Sequence, residues 1–120
     1  GVQSAKSLKE IYPDRKITVI FQPHLYSRTH DFYMDFAEAL SHFDEVILTE
    51  IYPAREKPMP GVTSALIYYN LKSNVEKQMI KKDDVLQFAK SRDFDVLVVL
   101  GAGNLDNYTE QLAEIIKEKE

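Results

Sequence analysis

Lys16-Ile17-Thr18-Val19-Ile20-Phe21 runs directly into Gln22-Pro23-His24-Leu25-Tyr26-Ser27-Arg28-Thr29, and the fold turns on this junction. The first run is short, β-branched and almost free of charge, as a strand buried on both faces of a parallel sheet has to be. The second carries an imidazole, a phenol and a guanidinium within residues 24–28. The period then changes to that of a helix. Phe32, Phe36, Ala39, Leu40 and Phe43 fall at i, i+4, i+7, i+8 and i+11, forming one apolar stripe. A buried strand, a polar loop and an amphipathic helix together make the opening of a βαβ unit.

The same alternation extends in both directions. Glu45-Val46-Ile47-Leu48-Thr49 and Asp95-Val96-Leu97-Val98-Val99-Leu100 read as further buried strands, and Gln78-Met79-Ile80 as a weaker one. Ala5, Leu8 and Ile11 predict a first helix, stopped at Pro13 and Asp14. Residues 63–71 predict another. Asp83 and Asp84 are carboxylates suited to a helix N-terminus and open one through Val85, Leu86 and Ala89. Leu105, Tyr108, Leu112, Ile115 and Ile116 supply the stripe of a last helix. Strands alternating with helices imply a mainly parallel sheet covered on both faces. The expected fold is an α/β, Rossmann-like three-layer α/β/α unit in which residues 1–120 form one domain.

Bulk properties exclude several functions. The 120 residues are 44% hydrophobic and 28% charged, which suits a folded domain with a real core. A net charge of −4 with no basic block argues against a nucleic-acid partner. The absence of cysteine excludes disulfides, thiolate metal sites and Cys nucleophiles. No apolar run is long enough for a membrane span and no signal peptide opens the chain, so neither membrane nor export is expected. Gly1 in place of Met reads as a cloning remnant or as the start of an excised piece of a longer polypeptide.

Three segments are too specific to be plain connectors, and each follows a predicted strand: residues 21–29, 51–60 and 101–104. In a parallel sheet the strand C-termini share one edge, where ligands bind, so the three should converge. In the first, Ser27 or Thr29 can cap the following helix and leave a positive end beside Arg28. Such a place suits a carboxylate or phosphate, which Arg holds in a bidentate fork. Alternatively, Arg28 pairs with Asp31 or Asp35. In the second segment, prolines stiffen a loop bearing Arg55, Glu56 and Lys57, which is either a contact surface or a solvated turn. In the third, Gly101-Ala102-Gly103-Asn104 allows close backbone approach but lacks the third glycine of a dinucleotide fingerprint. A tight strand–helix turn capped by Asn104 is the more frequent explanation. Residues 13–15 and 91–93, at the other edge, read as solvated turns. No P-loop, local Ser–His–Asp set or metal-ligand cluster is present, so no catalytic or metal-binding residue is assigned. His42 is expected at a helix end, and Phe32, Phe36 and Phe43 in the core.

Phe21-Gln22-Pro23-His24, followed by Tyr26-Ser27-Arg28-Thr29, closely resembles a motif in the C-terminal domain of the UDP-N-acetylmuramate–L-alanine ligases, within the Mur ligase family. The resemblance continues through residues 35–40, 44–48, Ile51-Tyr52-Pro53-Ala54-Arg55-Glu56, Pro60-Gly61-Val62 and Gly101-Ala102-Gly103. It implies part of an ATP-dependent, cytoplasmic bacterial ligase of peptidoglycan synthesis. In such enzymes the lactyl carboxylate of UDP-N-acetylmuramate is activated as an acyl phosphate and attacked by L-alanine. An N-terminal domain holds the UDP sugar and a central P-loop domain holds ATP and Mg²⁺. The C-terminal domain closes over them and helps bind the amino acid. By that resemblance His24, Tyr26 and Arg28 line the amino-acid site, with Arg28 on the alanine carboxylate. Ser27, Thr29, Arg55, Gly101, Gly103 and Asn104 become candidate nucleotide or domain-closure contacts. Two departures stand out. Many relatives have a second Arg where this chain has Leu25, and their upstream Asp-Tyr-x-His-His-Pro segment is not among these residues. The alternatives are another Mur ligase adding a different amino acid, or a free-standing flavodoxin-like binding domain. The 120 residues alone are expected to be inactive.

Overall fold

The computed structural model describes residues 5–101. In chain order they form α1 (Ala5–Ile11), β1 (Ile17–Gln22), α2 (Tyr26–Leu40), β2 (Glu45–Leu48), α3 (Ala65–Tyr68) and β3 (Glu76–Met79). A single 3₁₀ turn (Lys82–Asp84) then leads into α4 (Val85–Lys90) and β4 (Val96–Gly101). The four strands are all parallel, in the order β3-β2-β1-β4. This is the opening order of a Rossmann sheet.

Alternate strand residues separate the two faces, because side chains alternate along a strand. Ile17, Val19, Val46 and Leu48 pack with Ala37 and Leu40 of α2, Ile67 of α3 and Leu8 of α1. On the other face Ile20 and Ile47 pack with Val85 and Ala89 of α4. Helices therefore cover both faces, and the three layers expected from the sequence are present.

Several local readings need correction. The stripe of α2 has helical period but is turned by one residue. Thr29, Ala37 and Leu40 are buried and Tyr33 and Phe36 pack on the core, whereas Phe32 is 44% exposed. β3 begins at Glu76, two residues before the expected run, and is largely exposed. As an edge strand it needs no apolar alternation, so Glu76 and Lys77 carry no strand signal, and only Gln78 and Met79 fall within the expected run. The helix expected over residues 63–71 is only the four residues of α3. The expected last helix, residues 105–116, lies outside the described residues.

Candidate functional site

β1 and β4 flank the point at which strand order reverses, so the crevice beyond their C-termini is where an open α/β sheet binds ligands. Gln22 pairs with Gly101 across this point. Gly101 has φ +150°, and a Cβ there would lie 3.1 Å from both the Cβ and the carbonyl oxygen of Gln22. Only glycine permits so close an approach of the two backbones. The Gln22 side chain is buried. Its Nε2 donates to the Glu50 carbonyl at 3.3 Å, and its Oε1 has no hydrogen-bond partner.

The first two segments meet beyond β1 and β2. Leu25 N–H donates to the Tyr52 carbonyl and Tyr52 N–H to the Pro23 carbonyl, both at 2.8 Å, which extends parallel pairing past the strand ends. The rings of His24 and Tyr52 stack with centroids 5.7 Å apart and planes 20° from parallel. Leu25 (φ 71°) and Ala54 (φ 51°) are the only non-glycine residues with positive φ among the described residues, and one lies in each segment. Such backbone persists only where surrounding contacts determine it, and it clusters at functional sites.

The start of α2 differs from the sequence expectation. Neither Ser27 nor Thr29 caps it; Leu25 occupies the N-cap position and makes no side-chain cap. The cap comes from the second segment. Glu56 accepts the Ser27 backbone N–H on Oε1 at 3.0 Å and the Ser27 hydroxyl on Oε2. These two bonds, then the Tyr26 N–H and the charge of His24, hold the Glu56 carboxyl below its ordinary value. The anion place at the α2 N-terminus is thus filled by the protein's own carboxylate. Thr29, expected as a ligand contact, is buried, and its hydroxyl donates to the Leu25 carbonyl at 2.9 Å. Arg28 behaves otherwise. It is exposed, makes no ion pair with Asp31 or Asp35, and lies over the Phe32 ring at 5.9 Å. Asp31 pairs with His30 instead. That stacking gives the exposed Phe32 a role that a core assignment misses.

No family model matches the chain. Over 98% of its length it is 53% identical to the UDP-N-acetylmuramate–L-alanine ligase of Phocaeicola vulgatus, and over 95% it is 47% identical to that of Parabacteroides distasonis. The crystal structure of the UDP-N-acetylmuramate-alanine ligase of Thermotoga maritima matches 97% of the chain with a TM-score of 0.66 and 27% identity. The chain belongs to the UDP-N-acetylmuramate–L-alanine ligase family. It spans about a quarter of the relatives it matches: 26%, 24% and 24% of their lengths, respectively.

Within that family frame, the structure brings His24, Tyr26, Ser27 and Arg28 to one sheet edge with residues 52–56 and Gly101. Arg55 is exposed on the Glu56 loop. Gly103 and Asn104 lie outside the described residues. Sequence reasoning treated Glu56 as one charge of a solvated or contacting loop and missed its part in the site. No local pattern reveals it, because its partner Ser27 lies 29 residues away. Among the described residues no group of His, Cys, Asp or Glu could hold a metal ion, and no helix is long and apolar enough to cross a membrane.

Proposed function

We propose that this chain, as a single domain of residues 1–120, is the C-terminal domain of an ATP-dependent ligase joining L-alanine to UDP-N-acetylmuramate in peptidoglycan precursor synthesis. On this reading it works in the bacterial cytoplasm with an N-terminal domain for the UDP sugar and a central domain for ATP and Mg²⁺. The described residues contain neither a phosphate-cradling P-loop nor a cluster of metal ligands, so they do not fit ATP–Mg²⁺ on their own. No step is assigned to this chain through that group.

One observation carries the reading for the site: Arg28 is an exposed guanidinium without an acidic partner among the described residues, at the edge where the sheet binds ligands. A planar fork of this kind grips a carboxylate by paired charge-assisted bonds. Arg28 would take the carboxylate of L-alanine, with His24 and Tyr26 beside it, and so aim the amine at the activated lactyl carbonyl. Alignment of this sort contributes by turning an encounter into a positioned attack. Closure of the domain would also keep water from a hydrolysable acyl phosphate. Ser27, Arg55, Gly101, Gly103 and Asn104 would serve closure or nucleotide contact through residues near the same edge.

The test is substrate choice in the full-length ligase. With UDP-N-acetylmuramate and ATP present, phosphate release should depend on L-alanine and yield the alanyl product. Faster release with D-glutamate, the kind of result expected of another Mur ligase, would overturn the assignment.

A further inference from the structure

Glu56 belongs to no group that contacts substrate in the reading above, yet its side chain ties the two segments of the site together. Its carboxylate bridges the Ser27 N–H and hydroxyl across 29 residues of sequence. Its own N–H closes a turn onto the Pro53 carbonyl at 2.8 Å, around the positive-φ Ala54. Positive φ at the first central position of a turn is ordinarily left to Gly, Asn or Asp, so an alanine there must be held by what surrounds it. On the α2 side the clamp falls one residue before Arg28 and three after His24. On the other it falls four after Tyr52, on which the His24 ring stacks. A negative charge on the first turn also satisfies free N–H groups and the helix dipole.

We propose that Glu56 is a positioning residue: its carboxylate, clamped to Ser27, fixes His24 and Arg28 in their receiving arrangement. It also occupies the helix N-terminus, leaving Arg28 as the anchor for an incoming carboxylate. The proposal rests on the reading of His24 and Arg28 as the amino-acid site.

In the full-length ligase, Glu56→Ala should raise the KM for L-alanine about tenfold and leave the KM for UDP-N-acetylmuramate and for ATP within twofold. Glu56→Asp keeps the charge one methylene short and should recover part of the loss. Ser27→Ala, which keeps the backbone half of the clamp, should raise the alanine KM about threefold. Because Glu56 acts through Arg28, adding Glu56→Ala to Arg28→Ala should raise KM little further. A folded Glu56→Ala enzyme with an unchanged alanine KM, while Arg28→Ala is impaired, overturns the clamp and spares the site. An unchanged KM in Arg28→Ala itself overturns the site reading instead. If Glu56→Ala does not fold, the Asp and Ser27→Ala variants decide. Unchanged alanine KM in both, with a lowered melting temperature, would leave Glu56 a purely structural role.

Discussion

Arg28 and Thr29 are neighbours in sequence with opposite fates. A helix turns about 100° per residue, so α2 sends Thr29 into the core and leaves Arg28 outside. The hydroxyl of Thr29 is satisfied by the Leu25 carbonyl, whereas among the described residues the guanidinium of Arg28 has only the Phe32 ring. An unpaired cation at a ligand-binding edge should show itself kinetically. Each charge-assisted bond to a carboxylate contributes about 1.5–3 kcal/mol net. Arg28→Ala in the full-length ligase should therefore raise the KM for L-alanine by roughly ten- to a hundredfold. The KM for UDP-N-acetylmuramate should change far less. Arg28→Lys should rescue only in part, since an ammonium is a point charge without the planar fork. Steady-state kinetics, with circular dichroism to confirm folding, decide the matter. An alanine KM within twofold of wild type would return Arg28 to the surface as a bystander. Residues of this kind were legible because the sequence places them after a strand. Glu56 was not, because its role is set by a contact between two loops.

At the scale of elements, β1, β2 and β4 are legible to within a residue or two because they are dense β-branched runs, although β4, expected to be buried, is half-buried among the described residues. Edge strand β3 is legible only in its second half, at Gln78 and Met79, and the turn before β4 reads wrongly. Ser91-Arg92-Asp93 reads as solvated, yet Arg92 forms two bonds to the buried Glu45, at 2.9 and 2.6 Å. Arg92 also lies over the rings of Phe88 and Phe94 at 5.2 and 4.7 Å. Thr18 completes the arrangement by donating to Glu45 at 3.0 Å. Glu45 ends up beneath α4 because the parallel register places it beside Thr18 at the N-terminal edge. Arg92 and then Thr18 hold its carboxyl below the ordinary value of 4.5, against the upward pull of burial. A pKa depressed by folding means that the unfolded chain binds more protons in this range. The pair's contribution is thus present above about pH 4.5 and is lost as pH falls through the lowered folded value. Arg92→Ala would leave the buried Glu45 carboxylate with the Thr18 hydroxyl and with Lys16 at 3.9 Å, at a cost of about 3 kcal/mol near neutral pH. Urea denaturation across pH should show that gap between wild type and variant shrinking as Glu45 protonates. A gap that stays constant down to strongly acid pH would mean that Arg92 stabilises by ring packing alone.

For the whole molecule, the sheet order puts the candidate site residues on one edge and the structural ion pair on the other. Residues 21–29, 52–56 and Gly101 gather at the strand C-termini, while Glu45 and Arg92 tie together the opposite side. Such a division lets one edge be shaped for a partner domain without weakening the core that carries it. It also bounds what these 120 residues can do. On the proposed reading Arg28 and His24 would receive a small carboxylate; the sequence has no P-loop and the described residues no metal-ligand cluster. On the proposed reading, activation of the lactyl carboxylate would fall to the central domain of the full-length ligase. A purified preparation of residues 1–120 should neither release phosphate from ATP nor form UDP-N-acetylmuramoyl-L-alanine at any concentration. The complementary truncation, a ligase ending before this segment, should still bind ATP and UDP-N-acetylmuramate but make no product. On the proposed reading, without closure the amine would be neither held nor aimed, and water would reach the acyl phosphate. Equilibrium binding separates the two effects from simple misfolding. Phosphate release by residues 1–120 that a substitution in this chain abolishes would show that the segment contains an ATP site of its own. Product formation by the truncated ligase at wild-type rate would show that the Arg28 edge is dispensable for the reaction.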